Sequence, residues 1–235
     1  MIAIFKREMR SYFTGVIGYA FLVIFLAVAG IAFSYTTLFS MSADVTSFYT
    51  VMLLFSAIML PILTMKSFSE ERKAKTEQLV LTAPVSLPAM IIGKFLAAYS
   101  MFAGAVVFSS LYFLLLIPYA TLKVAILLGN VIALLLVGMV FISIGLFVSS
   151  LTENQLSAAV GTIAIILAFL AVSLVGSLLP TTYWLRFVLD ALSIYTRFQT
   201  FASGYFDLPS LIYYLSVSAV FLYFTFRVYD RRRYN

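Results

Sequence analysis

The chain has 235 residues, 63% of them hydrophobic and only 10% charged, with a mean hydropathy of +1.09. No water-soluble domain needs that much apolar surface, so the composition specifies an all-α, polytopic membrane protein. The net charge of +6 does not mark a nucleic-acid binder, because the basic residues flank apolar runs, and the lack of Cys and His excludes disulfides, thiol catalysis, histidine-ligated haem and ordinary zinc sites.

Residues 1–15 mix Ile4, Phe5, Met9, Tyr12 and Phe13 with Lys6, Arg7, Glu8 and Arg10. The mixture suits an amphipathic helix lying along the headgroups, and equally a plain basic flank that anchors the first span. A bilayer core of ~30 Å needs about 20 apolar residues per helix. Six stretches qualify: Val16–Leu38, Ser47–Met65, Phe95–Ile117, Val124–Ser150, Leu156–Leu179 and Leu208–Phe226. The first could be the core of a secretory signal cut after Ala27-Val-Ala29. Its apolar run continues to Leu38 with no polar region at the cut, so an uncleaved span is the better reading.

Six spans put both termini on one side. Twelve of the fifteen basic residues fall in the two termini and the second loop, whereas the opposite segments hold only Lys123, Arg186 and Arg197. By that asymmetry both ends face the cytoplasm. Tyr12, Tyr19, Tyr119, Tyr183, Trp184, Tyr213 and Tyr229 lie near span ends, either as an interfacial belt or as packing aromatics.

The second loop, 66–94, carries Lys66-Ser-Phe-Ser-Glu-Glu-Arg-Lys-Ala-Lys-Thr-Glu77. It reads as a short cytosolic helix, with Ser69 as cap and Glu70 and Glu71 in the first turn, where the helix dipole favours negative charge. Glu71–Lys75 and Lys73–Glu77 are spaced as i,i+4 pairs, and Pro84 and Pro88 stop the pattern before the third span. A solvated connector is the bland alternative; Thr152-Glu-Asn-Gln155 shows how short a connector can be. The segment 180–207 is unusually apolar for a loop. Arg186 and Asp190 at i,i+4 fit a short amphipathic helix there, one that dips back into the outer leaflet or caps a cavity. Ser157 with Gly161, and Gly138 with Gly145, have helix-packing spacing, within the chain or at a subunit interface.

No GxxxxGK[ST] phosphate loop occurs, since Gly93-Lys94-Phe95 lacks the spacing and the hydroxyl residue. No ionisable residue lies inside a span, which argues against a proton relay, and no cluster of acids suggests an enzyme. The chain is therefore expected to hold no cofactor and to draw any energy from another polypeptide.

Several motifs then stand in a telling order. They are Phe5-Lys-Arg-Glu-Met-Arg-Ser-Tyr-Phe13; Phe68-Ser-Glu-Glu-Arg72; Thr76-Glu-Gln-Leu79; Leu81-Thr-Ala-Pro-Val-Ser86; Gly93-Lys-Phe95; Ser150-Leu-Thr-Glu-Asn-Gln155; and Phe201-Ala-Ser-Gly204 with Asp207. Along nearly its whole length the chain resembles the permease subunits of ABC-2 type ABC transporters, in particular the short gliding-motility-associated and copper-enzyme-maturation permeases. It departs from them at Lys75, where the family often has Gly, and near Val16, where many members carry Pro.

The resemblance implies a prokaryotic cell-membrane subunit of an ATP-driven exporter, which moves a substrate outward or relays ATP-driven motion across the membrane. Two cytosolic ATPase subunits would bind ATP and Mg, and a second permease copy or paralogue would complete the membrane part. Membrane lipid surrounds it, an accessory protein outside the membrane is a further partner, and nucleic acid is not one. The implied ATPase-coupling residues are Glu70, Glu71, Arg72, Lys75, Thr76, Glu77 and Leu79. Trp184, Arg186, Asp190 and Arg197 belong to the implied re-entrant segment. The rival readings are a stand-alone channel or secondary carrier, and a membrane scaffold that transports nothing.

Overall fold

A computed structural model of the protein describes residues 1–41, 44–75, 86–116, 118–119, 123–178 and 184–234. Helix α1 spans Ile2–Thr14 and breaks at Gly15, whose backbone is extended. Helix α2, Val16–Phe33, then starts so close beneath α1 that a Cβ at Gly18 would overlap the Tyr12 carbonyl. It runs on through a widened turn, Ser34–Phe39. Helix α3, Val45–Thr64, opens on Asp44, whose carboxylate accepts from the Thr46 N–H at 3.0 Å. After a break at Met65, α4 covers Lys66–Lys73. Helix α5, Leu87–Ser110, tightens into a last turn over Leu111–Leu116. Then come α6, Val124–Leu151; α7, Gln155–Leu178; α8, Trp184–Leu192; α9, Ile194–Ala202; and α10, Leu208–Tyr234.

Six of these helical segments are long and apolar enough to cross a membrane, which makes this a multi-pass membrane protein. Exposed Val16, Ile31, Leu115, Leu174 and Leu178 fit contact with lipid and would be untenable in water. The third of the six segments begins at Leu87, two turns before the expected Phe95, with Pro88 in the first turn, where its missing N–H costs nothing. Proline 88 thus opens a helix instead of closing one.

Helix α6 is the axis of the bundle and the most buried of the six. Its glycines let neighbours approach: a Cβ at Gly138 would overlap the Phe102 ring of α5, and one at Gly145 would overlap Thr64 of α3. Both glycines therefore pack within this one chain. Hydroxyls along the spans bond backwards onto their own helix, as Ser56 does to the Met52 carbonyl (2.7 Å) and Thr162 to the Ala158 carbonyl (2.7 Å). Where water is absent, that is the nearest available acceptor.

At one end of the bundle the core is aromatic. Phe113 stands edge-on to Phe48 (5.2 Å) and Phe33 (5.4 Å) and stacks on Tyr49 (6.0 Å). The other end gathers α1, α4, the first turns of α5, the α6–α7 turn and the close of α10. This is the terminal end, where α1 begins and α10 closes.

Candidate functional site

At the turn between α3 and α4, N–H groups find an acceptor outside their own helix. Pro61, one turn earlier, has no N–H to give the helix ladder. A single hydroxyl from α6 closes the gap. Ser149 Oγ accepts from the Phe68 N–H (3.1 Å) and the Ser69 N–H (3.2 Å), and donates to the Met65 carbonyl (3.0 Å). Ser69 is inside α4, buried, with its own hydroxyl turned back to the Met65 carbonyl. It does not cap a helix start, since α4 begins three residues earlier.

The last carbonyls of α6 are held by two arginines from elsewhere in the chain. Arg72 of α4 donates to the Leu151 carbonyl (2.8 Å) and pairs with Glu153 (2.9 Å); Arg232 of α10 donates to the Ser150 carbonyl (2.7 Å). Cations at a helix C-terminus satisfy its orphan carbonyls and its dipole together. Phe68, fully buried, meets the Tyr229 ring at 4.9 Å and completes the joint.

On the other face of α4, Glu71 points into the protein. Its Oε1 lies 2.9 Å from Lys94 Nζ and 2.7 Å from Arg7. Glu8 closes the group, 3.0 Å from Arg7 and 3.5 Å from Lys94. The Lys94 side chain is 2% exposed; it also donates to the Ser67 carbonyl and lies over the Phe68 ring at 4.9 Å. Two cations and two carboxylates balance, which is the condition for keeping charge out of water. Burial works against the Arg7 charge, yet Glu8 and Glu71 outweigh it and leave its pKa above the ordinary value. Burial also pushes the Tyr12 phenol up from 10.0 to about 12; its hydrogen bond with Ser67 works the other way, and the nearby Glu8 carboxylate adds to the rise.

Arg7, Lys66, Glu70 and Tyr12 line a cleft of about 530 Å³ above this quartet, with Val16, Ile17 and Leu63 on its apolar wall. Among the described residues no group of His, Cys, Asp or Glu could hold a metal ion.

The residues singled out from sequence thus divide. Glu71 and Arg72 face inward and tie α4 to its neighbours, whereas Glu70 is largely exposed and only loosely paired with Lys66 at 3.9 Å. Lys75 takes a left-handed backbone (φ 55°) just after α4, the conformation that glycine adopts most easily. Thr76, Glu77 and Leu79, and with them the Lys73–Glu77 spacing, lie outside the described residues.

In the second group, Trp184 is exposed at the start of α8, and Asp190 packs against Gly176 of α7. The Arg186 side chain lies outside the described residues. Arg197 donates to the Ala191 carbonyl (3.0 Å) at the end of α8 and sits over the Tyr213 ring at 4.5 Å. Arg7 and Glu8 stand in the Phe5–Phe13 motif and Lys94 in Gly93-Lys-Phe95, but neither motif announces their pairing with Glu71, and Ser149 gives no local signal. No protein-family model matches the sequence, and no curated protein matches it either.

Proposed function

We propose that this chain is the membrane-spanning permease subunit of an ATP-driven, ABC-2 type exporter, coupled to ATPase subunits that it does not itself contain. The observation that carries the reading is the anchorage of α4. A charged eight-residue helix at the terminal end is fastened to α6 through Ser149 and Arg72, and to α1 and α5 through Glu71. A mere connector needs no such fastening. A helix that must pass on a push does. On this reading α1 lies at the interface, 180–207 forms the re-entrant outer segment, and the terminal end faces the cytoplasm. Exposed Glu70, Lys73 and Lys75 meet the ATPase, while inward-facing Glu71 and Arg72 hold the lever in place.

Co-purification with the ATPase encoded beside it tests this. Glu70→Lys combined with Lys73→Glu should weaken association about tenfold or more, and the uncoupled complex should lose the stimulation of ATP hydrolysis by the permease. ATP-independent flux through the purified chain in vesicles would support the channel or carrier reading instead. Failure of any ATPase to bind would favour the scaffold.

A further inference from the structure

We propose that the cleft between α1, α2 and α4 holds one phospholipid by a zwitterionic, primary-amine headgroup of the phosphoethanolamine type. Its size, about 530 Å³, lies within the usual range of ligand sites, roughly 300–1,000 Å³. The wall is graded. Val16 and Ile17 open the first span and Val16 is exposed, so the apolar side runs out onto surface that faces acyl chains, with Leu63 of α3 buried behind it. The polar side comes from α1 and α4, where headgroups lie.

Charge selects the ligand. At the floor, Lys94, Glu8 and Glu71 are engaged with one another and with Arg7. At the rim, Lys66 and Glu70 are a slack pair at 3.9 Å, with side chains 38% and 56% exposed, and Arg7 is 57% exposed. A phosphate can bond to Lys66 and to the outer N–H groups of Arg7 while an ammonium reaches Glu70. The lining carries three cations and three carboxylates, Arg7, Lys66 and Lys94 against Glu8, Glu70 and Glu71. An anionic headgroup without an amine would face Glu70 uncompensated, and a quaternary amine could not donate to it.

The test uses the full chain in nanodiscs with a photoactivatable phosphatidylethanolamine. Crosslinks should concentrate in residues 7–17 and 63–71. They should fall about tenfold when the wall is filled by Ile17→Trp, with helix content and monodispersity checked alongside. Glu70→Gln, which keeps shape and fold, should erase the preference for phosphatidylethanolamine over phosphatidylglycerol in native mass spectrometry. Labelling spread evenly over the lipid-facing helices, or a preference untouched by Glu70→Gln, would overturn the proposal. Competition by soluble glycerophosphoethanolamine as effective as that by the lipid would overturn the membrane source of the ligand.

Discussion

The two ends of the bundle are held by different physics. The terminal end is stitched by directional bonds: the Ser149 hydroxyl, two arginines on the α6 carbonyls, and four balanced charges around Lys94. The aromatic end is packed on rings, with Phe33, Phe48, Tyr49 and Phe113 edge to face, beside the bonds that Asn130 and Tyr214 make to α9. Directional bonds have a few discrete alternatives, and ring clusters resist movement by bulk. The two ends should therefore answer differently to substitution, the first to lost partners and charge, the second to lost bulk.

That contrast can be broken most sharply at Lys94. Lys94→Met leaves Glu8 and Glu71 without their buried cation and should cost about 3–5 kcal/mol, read as a fall in Tm in detergent. Adding Glu71→Gln should recover part of it, because the damage is an unpaired charge.

At the aromatic end, Phe113→Ala should cost about 1–3 kcal/mol. Ring–ring terms of about 0.5–1.5 kcal/mol each are what survives when the competing solvent is lipid. Leu at 113 should restore most of the Tm, and no charge change elsewhere should matter. If a polar partner change rescued Phe113→Ala, the contrast would fail.

Smaller again, Ser149→Ala removes the acceptor for two buried N–H groups, for about 1 kcal/mol, the low end for such a loss, because α3 and α4 can straighten into one helix. Hydrogen exchange at Phe68 and Ser69 should speed up while the Phe113 region stays protected.

The smallest effect concerns pH. Tyr12 is held neutral in the folded chain, with its pKa raised from 10.0 to about 12, so its contribution is complete below the ordinary value and is lost as pH rises through that window. Tyr12→Phe should flatten that part of the stability profile relative to the parent chain.

The spans were legible in the sequence because continuous apolar runs leave little choice of structure in a bilayer. The third helix start was not, since Lys94 reads as a loop residue until Glu71 and Glu8 are known to reach it from 23 and 86 positions away. Local spacing offers Lys75 to Glu71, but it says nothing of Arg7 and Lys94, the partners that reach Glu71 from α1 and α5. The Ser69 cap was misread for a related reason. The atom that satisfies the α3–α4 break is Ser149, on a different helix, and no local pattern announces it. Gly138 and Gly145 were readable as packing positions, but only the fold supplied Phe102 and Thr64 as their partners.

Helix α6 is gripped far from Ser149 as well. Asn130 Nδ2 donates to the Ala202 carbonyl at 3.0 Å, and Gly129 lets the Phe201 carbonyl come close, so the end of α9 is fixed to α6. Nineteen residues separate the two grips, about 28 Å of helix at ~1.5 Å per residue. A strut clasped at both ends cannot shorten without breaking its own ladder of hydrogen bonds. An axial push beside Ser149 would therefore be carried along α6 toward the α9 corner.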